Sequence, residues 1–154
     1  SCGVRTALRA GRGYSFSVPV ADPAVLPVAG PVYLPSERVA CTPLGKRLRI
    51  GGTMEFAGVE EPLHAERVAA IVRSGRPLLD GVDWDDRQDE WVGSRPVTVD
   101  SLPLIGETEL PRVFVNGGHG MWGMTLGPLS GRLLARQMMT GEIPAELRPF
   151  NPIR

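Results

Sequence analysis

Val113-Phe114-Val115-Asn116-Gly117-Gly118-His119-Gly120-Met121-Trp122-Gly123-Met124-Thr125-Leu126 reads as a strand, a glycine loop and the start of a helix in direct succession. The unbroken apolar run within 112–116 predicts a strand that is largely buried, because a half-exposed strand would alternate. Beyond the loop, Thr125 can cap a helix whose first turn tolerates Pro128. Leu126, Leu129, Leu133, Leu134 and Met138 then line one face until Gly141 ends it. Residues 118–123 carry the letters of a dinucleotide fingerprint, and the physics behind those letters is sound: glycines let a ligand approach the backbone, and the free amides of a helix N-terminus attract electronegative atoms. A self-standing dinucleotide unit needs a second parallel strand ending in an acid. Glu142 has nearly the right spacing but lies in Gly141-Glu142-Ile143-Pro144, a turn. The loop therefore reads as a cradle for part of a larger cofactor or as a tight structural turn, and not as an independent NAD site.

Upstream, the pattern is that of an antiparallel sheet. Tyr14, Phe16, Val18 and Val20 alternate with Ser15, Ser17 and Pro19, the period of a half-buried strand, with Pro19 marking its end or an edge. Residues 21–31 read as proline-rich loop. Residues 38–42 and 47–51 flank Pro43-Leu44-Gly45-Lys46 and predict a hairpin. Pro62 suits the first position of a helix carrying Glu60, Glu61 and Glu66 near its start, with Val68, Ile71 and Val72 as its apolar stripe and Gly75 and Pro77 as its stop. The acid-rich stretch 80–90 lacks the alternate-residue ligands and central glycine of a calcium loop and reads as solvated. Residues 91–99 predict a strand bearing Arg95, and Asp100-Ser101-Leu102-Pro103 a turn.

Composition narrows the function classes. The chain has 154 residues, and 17 Lys+Arg balance 17 Asp+Glu, so no net charge attracts a nucleic acid or an anionic membrane. Hydrophobic residues at 42% and charged residues at 22% argue for a folded domain rather than disorder. Cys2 and Cys41 are too few and too far apart for a disulfide framework or a cysteine metal site, and no metal ligands are predicted. No apolar run approaches the roughly 20 residues of a membrane span, and no export pattern follows Ser1, so a cytoplasmic location is expected.

Three segments then converge. Gly13-Tyr14-Ser15-Phe16-Ser17-Val18-Pro19, Gly93-Ser94-Arg95-Pro96-Val97-Thr98-Val99-Asp100-Ser101-Leu102-Pro103-Leu104-Ile105-Gly106 and Asn116-Gly117-Gly118-His119-Gly120 together resemble the C-terminal part of the FAD-dependent D-amino acid oxidase and dehydrogenase family, nearest its D-amino acid dehydrogenase branch. Leu48-Arg49-Ile50-Gly51-Gly52-Thr53-Met54-Glu55 resembles strands of the family's substrate domain, and Phe150-Asn151-Pro152-Ile153-Arg154 its tail. The likeness spans residues 11–154 and implies an α+β fold: a mostly antiparallel sheet crossed by a helix, forming part of the substrate domain (1–98), followed by a strand-loop-helix (99–154) that returns to an FAD domain. The family's N-terminal GxGxxG unit has no counterpart, so a C-terminal fragment is expected, inactive alone and with an incomplete FAD site.

What the resemblance implies for the parent enzyme is oxidative deamination of a D-amino acid, with hydride passing from the α-carbon to FAD. Arg95 matches the arginine that takes the substrate carboxylate, and Met54 a pocket wall. Gly120, Met121, Trp122, Gly123, Met124 and Thr125 match the loop that contacts the flavin. No catalytic base is implied, and His119 reads as structural. Glycine oxidases carry a second arginine near Met121, which is absent. Sarcosine oxidases attach flavin through a cysteine near 93–100; none lies there, so FAD would be non-covalent. The small-molecule partners implied are an amino acid and an electron acceptor, oxygen or a quinone chain. Peripheral association of the parent with the inner membrane and self-association of the fragment stay open. The rival readings are a glycine-, sarcosine- or proline-type amine oxidase and a non-enzymatic anion-binding module.

Overall fold

The computed structural model describes residues 2–4, 8–20, 22 and 28–154, so most of the proline-rich stretch expected at 21–31 lies outside the described residues. The chain divides into two compact units, Arg12–Ser94 and Ser1–Gly11 with Arg95–Arg154. The architecture is α+β, and every pairing whose register is defined is antiparallel.

A five-stranded sheet runs in the order β2-β3-β4-β1-β5, from Val32–Leu34 (β2), Val39–Leu44 (β3), Arg47–Phe56 (β4), Arg9–Pro19 (β1) and Gln88–Val97 (β5). Tyr14, Phe16, Val18 and Val20 are buried as expected at β1, but Arg12, Gly13 and Ser17 are buried as well, so the strand is enclosed rather than half-buried, and Pro19 ends it inside the sheet. The hairpin forms with a shorter turn than expected. Pro43 and Leu44 pair with Leu48 and Arg47, leaving Gly45-Lys46 as the turn, with Gly45 at φ +61°. Two-residue hairpin turns match the twist of their strands through such positive φ values.

Helix α1 (Ala65–Gly75) covers one sheet face, burying Val68 and Ile71 against Tyr14, Phe16, Leu48 and Ile50. It starts later than Pro62, the expected first position, and Glu60 and Glu61 precede it. The cause is Arg12, fully buried on β1, whose Nη2 donates to the carbonyls of Glu61 and Pro62 at 2.7 Å each. Those carbonyls satisfy a buried guanidinium rather than starting a helical ladder. At the other end, a Cβ on Gly75 would come within 2.6 Å of the Trp84 ring, which meets Phe16 edge-on at 6.4 Å.

The second unit holds a two-stranded sheet, β6 (Leu104–Glu107) and β7 (Phe114–Gly117), and helix α2 (Gly123–Thr140). The sequence reading missed β6. It also placed β7 too deep: Phe114 and Val115 are only half-buried, because β6 is the one neighbour β7 has among the described residues. Gly141 ends α2 as expected, at φ +75° with its N–H on the Gln137 carbonyl. The expected leucine stripe is only partly buried, at Leu134 and, to a lesser degree, Leu133. Ser130, Leu134 and Gln137 face inward, toward Ile105 and Leu147, while Leu126, Leu129 and Met138 are exposed. No helix among the described residues is long and apolar enough to cross a membrane.

Candidate functional site

The glycine loop is shaped by close packing within its own unit. Gly118 sits at φ +75°, and a Cβ there would come 2.8 Å from Thr98 Cγ2, so the position admits only glycine. Thr98 lies in the turn after β5, and one residue earlier Val97 forms an antiparallel bridge with His119. The end of the strand bearing Arg95 is thus stitched to the loop.

From His119 the chain enters a single 3-10 turn, Gly120–Trp122, and then α2 at Gly123. Thr125, expected as the helix cap, lies inside α2. Trp122 occupies the cap position and no side chain caps the first amides. An uncapped N-terminus leaves donors free for a ligand, and the helix dipole favours negative charge there. Met121 and Trp122 are mostly exposed and Met124 almost wholly so.

His119 is tied down. Its Nε2 lies 3.1 Å from Ser130 Oγ, and the Ser130 hydroxyl donates to the Gly127 carbonyl at 3.0 Å. The contact ties the loop to α2.

Arg95 carries the strongest chemical signal. Its Nη1 is buried with no hydrogen-bond partner, and burial pulls the guanidinium pKa below its usual value. Arg95 is half-buried, and a buried guanidinium nitrogen without an acceptor suits an anionic partner. Met54, in the other unit, is exposed on β4. Thr53 at φ +53° explains why: strand alternation would send Met54 to the face of Leu48 and Ile50, but the irregular residue reverses it. Glu55 takes the helix-facing place instead, its Oε2 accepting from Arg67 Nε of α1 at 2.8 Å.

Glu55 centres a polar cluster that the sequence reading did not find. The Tyr14 hydroxyl donates to its Oε1, His64 Nδ1 lies 3.2 Å away and Arg12 Nη1 3.8 Å. Hydrogen bonding from Tyr14, with Arg67 and His64 adding to it, holds the Glu55 carboxyl below its usual range, while burial and Glu55 push the Tyr14 phenol up. Alternation alone could show only that Tyr14 faces the core.

The profile of the FAD dependent oxidoreductase family matches residues 2–137. The chain belongs to that family. It is 40% identical over 133 residues to D-amino acid dehydrogenase 1 of Mesorhizobium japonicum, covering 86% of this chain and 31% of the relative. With the D-amino acid dehydrogenase of Xanthobacter autotrophicus it shares 37% identity over 142 residues, 92% of this chain and 33% of the relative. Among solved structures, glycine oxidase from Geobacillus kaustophilus superposes with a TM-score of 0.80 at 26% identity, covering 99% of this chain and 40% of that one. Iminodiacetate oxidase from Chelativorans sp. BNC1 gives 0.79 at 25%, covering 98% and 41%. The chain therefore spans about a third of the length of these curated relatives.

Proposed function

We propose that this chain is the C-terminal part of an FAD-dependent oxidoreductase that oxidatively deaminates D-amino acids, and that Arg95 binds the substrate carboxylate. The observation that carries the reading is the unpartnered, buried Nη1 of Arg95, on a strand end bridged to the glycine loop. A planar guanidinium pairs with a carboxylate through two parallel hydrogen bonds, fixing orientation as well as charge. Names of the relatives in Mesorhizobium and Xanthobacter support a D-amino acid as substrate. We assign residues 1–98 to the substrate-binding sheet and 99–154 to the strand-loop-helix of the flavin domain.

The residues fit a flavin. Gly118 and Gly120 keep the loop free of side chains at positive φ, and the first amides of α2 have no side-chain cap. Gly120, Met121, Trp122, Gly123, Met124 and Thr125 would hold its ring, with the α2 N-terminus favouring negative charge on it. Bound FAD supplies a two-electron acceptor for the substrate hydride. Arg95 orients the α-carbon by gripping the carboxylate, and the His119–Ser130 pair holds the loop to α2. The final acceptor is oxygen or a quinone chain.

The test is to offer D-alanine, glycine, sarcosine and L-proline to the protein encoded by the whole reading frame and follow flavin bleaching. D-alanine is expected to bleach it fastest, and preference for glycine or sarcosine would move the assignment to those amine oxidases. Replacing Arg95 by Met should raise KM by about 10- to 100-fold, the range for losing a charged hydrogen bond. An unchanged KM would remove Arg95 from the site.

A further inference from the structure

Asn151–Arg154 returns to the turn that follows β5, and the contact is unusually complete. Arg154 Nε and Nη2 donate to Asp100 Oδ2 and Oδ1 at 2.8 and 3.0 Å, a bidentate pair. Nη2 also reaches the Leu102 carbonyl at 2.9 Å, and Nη1 the Pro103 and Asn151 carbonyls at 3.1 and 3.0 Å. Every N–H of the guanidinium is used, although an arginine on a loop normally spends several on water. Asp100 Oδ1 accepts in addition from the Leu102 amide, and Arg154 holds the Asp100 carboxyl well below the usual range.

The clamped turn leads directly to the site. Ser101 N–H bonds the Thr98 carbonyl at 3.2 Å, and Thr98 Oγ1 donates to the Leu102 carbonyl at 2.8 Å, so Leu102 is held by Arg154 and Thr98 at once. Thr98 is the residue that packs on Gly118, and its neighbour Val97 bridges to His119. Arg95 lies two residues before Val97 and projects to the same face of the strand.

We propose that Arg154 is a positioning residue: through the Asp100 turn it fixes both the strand end that carries Arg95 and the glycine loop that faces the flavin. The role rests on the site assignment above, although the mechanical link does not. A surface ion pair contributes little in general. This one differs because it is bidentate and also satisfies three carbonyls, so its loss frees a turn and not merely two side chains.

Two measurements on the full-length holoprotein separate the possibilities. In Arg154→Met, hydrogen exchange should accelerate about tenfold at Leu102 and at the amides of Val97 and His119, as expected when a local opening loses a charged pair. Amides of the β3–β4 hairpin should not change. Faster exchange confined to Ser101 and Leu102, with His119 at its original rate, overturns the proposal whatever the enzyme does. In turnover, Arg154→Met should raise KM for the amino acid and weaken flavin binding, each about tenfold, with kcat within about twofold; Arg154→Lys, retaining charge but not the fork, should fall between. A lower melting temperature with KM and flavin affinity both unchanged would reduce Arg154 to a structural staple. Coupled exchange in a protein that binds no flavin would instead spare the clamp and sink the function assigned to its site. Asp100→Asn gives the same comparison should Arg154→Met fail to fold.

Discussion

The two units differ in how much of their apolar surface they bury. In Arg12–Ser94, strands β1, β3 and β4 and helix α1 close a continuous core from Tyr14 to Trp84, and its residues are nearly all under a tenth exposed. In the other unit the corresponding cluster is small, centred on Ile105, Leu134 and Leu147, while α2 displays Leu126, Leu129, Met138 and Met139. The first unit supplies both sides of its core from its own sequence; the second has an amphipathic helix that covers Leu133 and Leu134 but leaves Leu126, Leu129 and Met138 exposed. A hydrophobic stripe reports what a helix would bury given every partner, and the partners are a separate matter.

The contrast breaks most visibly in the first core. Phe16→Ala should cost about 3–5 kcal/mol in urea unfolding, the usual range for a buried phenylalanine; a loss under about 1 kcal/mol would mean that the core is not closed. Next comes the polar cluster. Glu55→Ala leaves buried Arg12 without its nearest carboxylate and should cost about 3 kcal/mol or more. The same site predicts a pH response. Because the folded pKa of Glu55 is lowered, its contribution is complete above the unfolded value of about 4.3 and disappears as pH falls through the folded value. For Tyr14, raised in the folded state, the contribution is complete below about 10 and disappears as pH rises through the folded value. Glu55→Gln should flatten the acid limb of a stability–pH curve, and an unaltered limb would place the titration elsewhere.

Within α2 the comparison sharpens to one turn of helix. Leu134→Ala should cost about 2–3 kcal/mol, whereas Leu129→Ala, half exposed, should fall within about 1 kcal/mol. Equal costs would show that Leu129 is covered after all. Smallest is the Arg47–Asp89 pair at 2.8 Å, with both side chains more than half exposed: a double-mutant cycle should give below about 1 kcal/mol, and less at high salt.

Local order was written in local spacing. Alternation placed Tyr14, Phe16 and Val18 inward, Gly141 ended α2, and the strand-glycine-helix sequence marked the loop, because each depends on a few neighbouring residues and their steric limits. Tertiary structure alone decided where α1 starts, since Arg12 reaches carbonyls about 50 residues ahead. It also turned Met54 outward at Thr53, chose Ser130, Leu134 and Gln137 as the buried face of α2, and joined Arg154 to Asp100 across 54 residues. A side chain's sequence neighbours limit its backbone geometry, but the partner of a charge or the cover of an apolar stripe depends on which distant segments the fold brings within a few ångströms, and spacing along the chain carries no record of that.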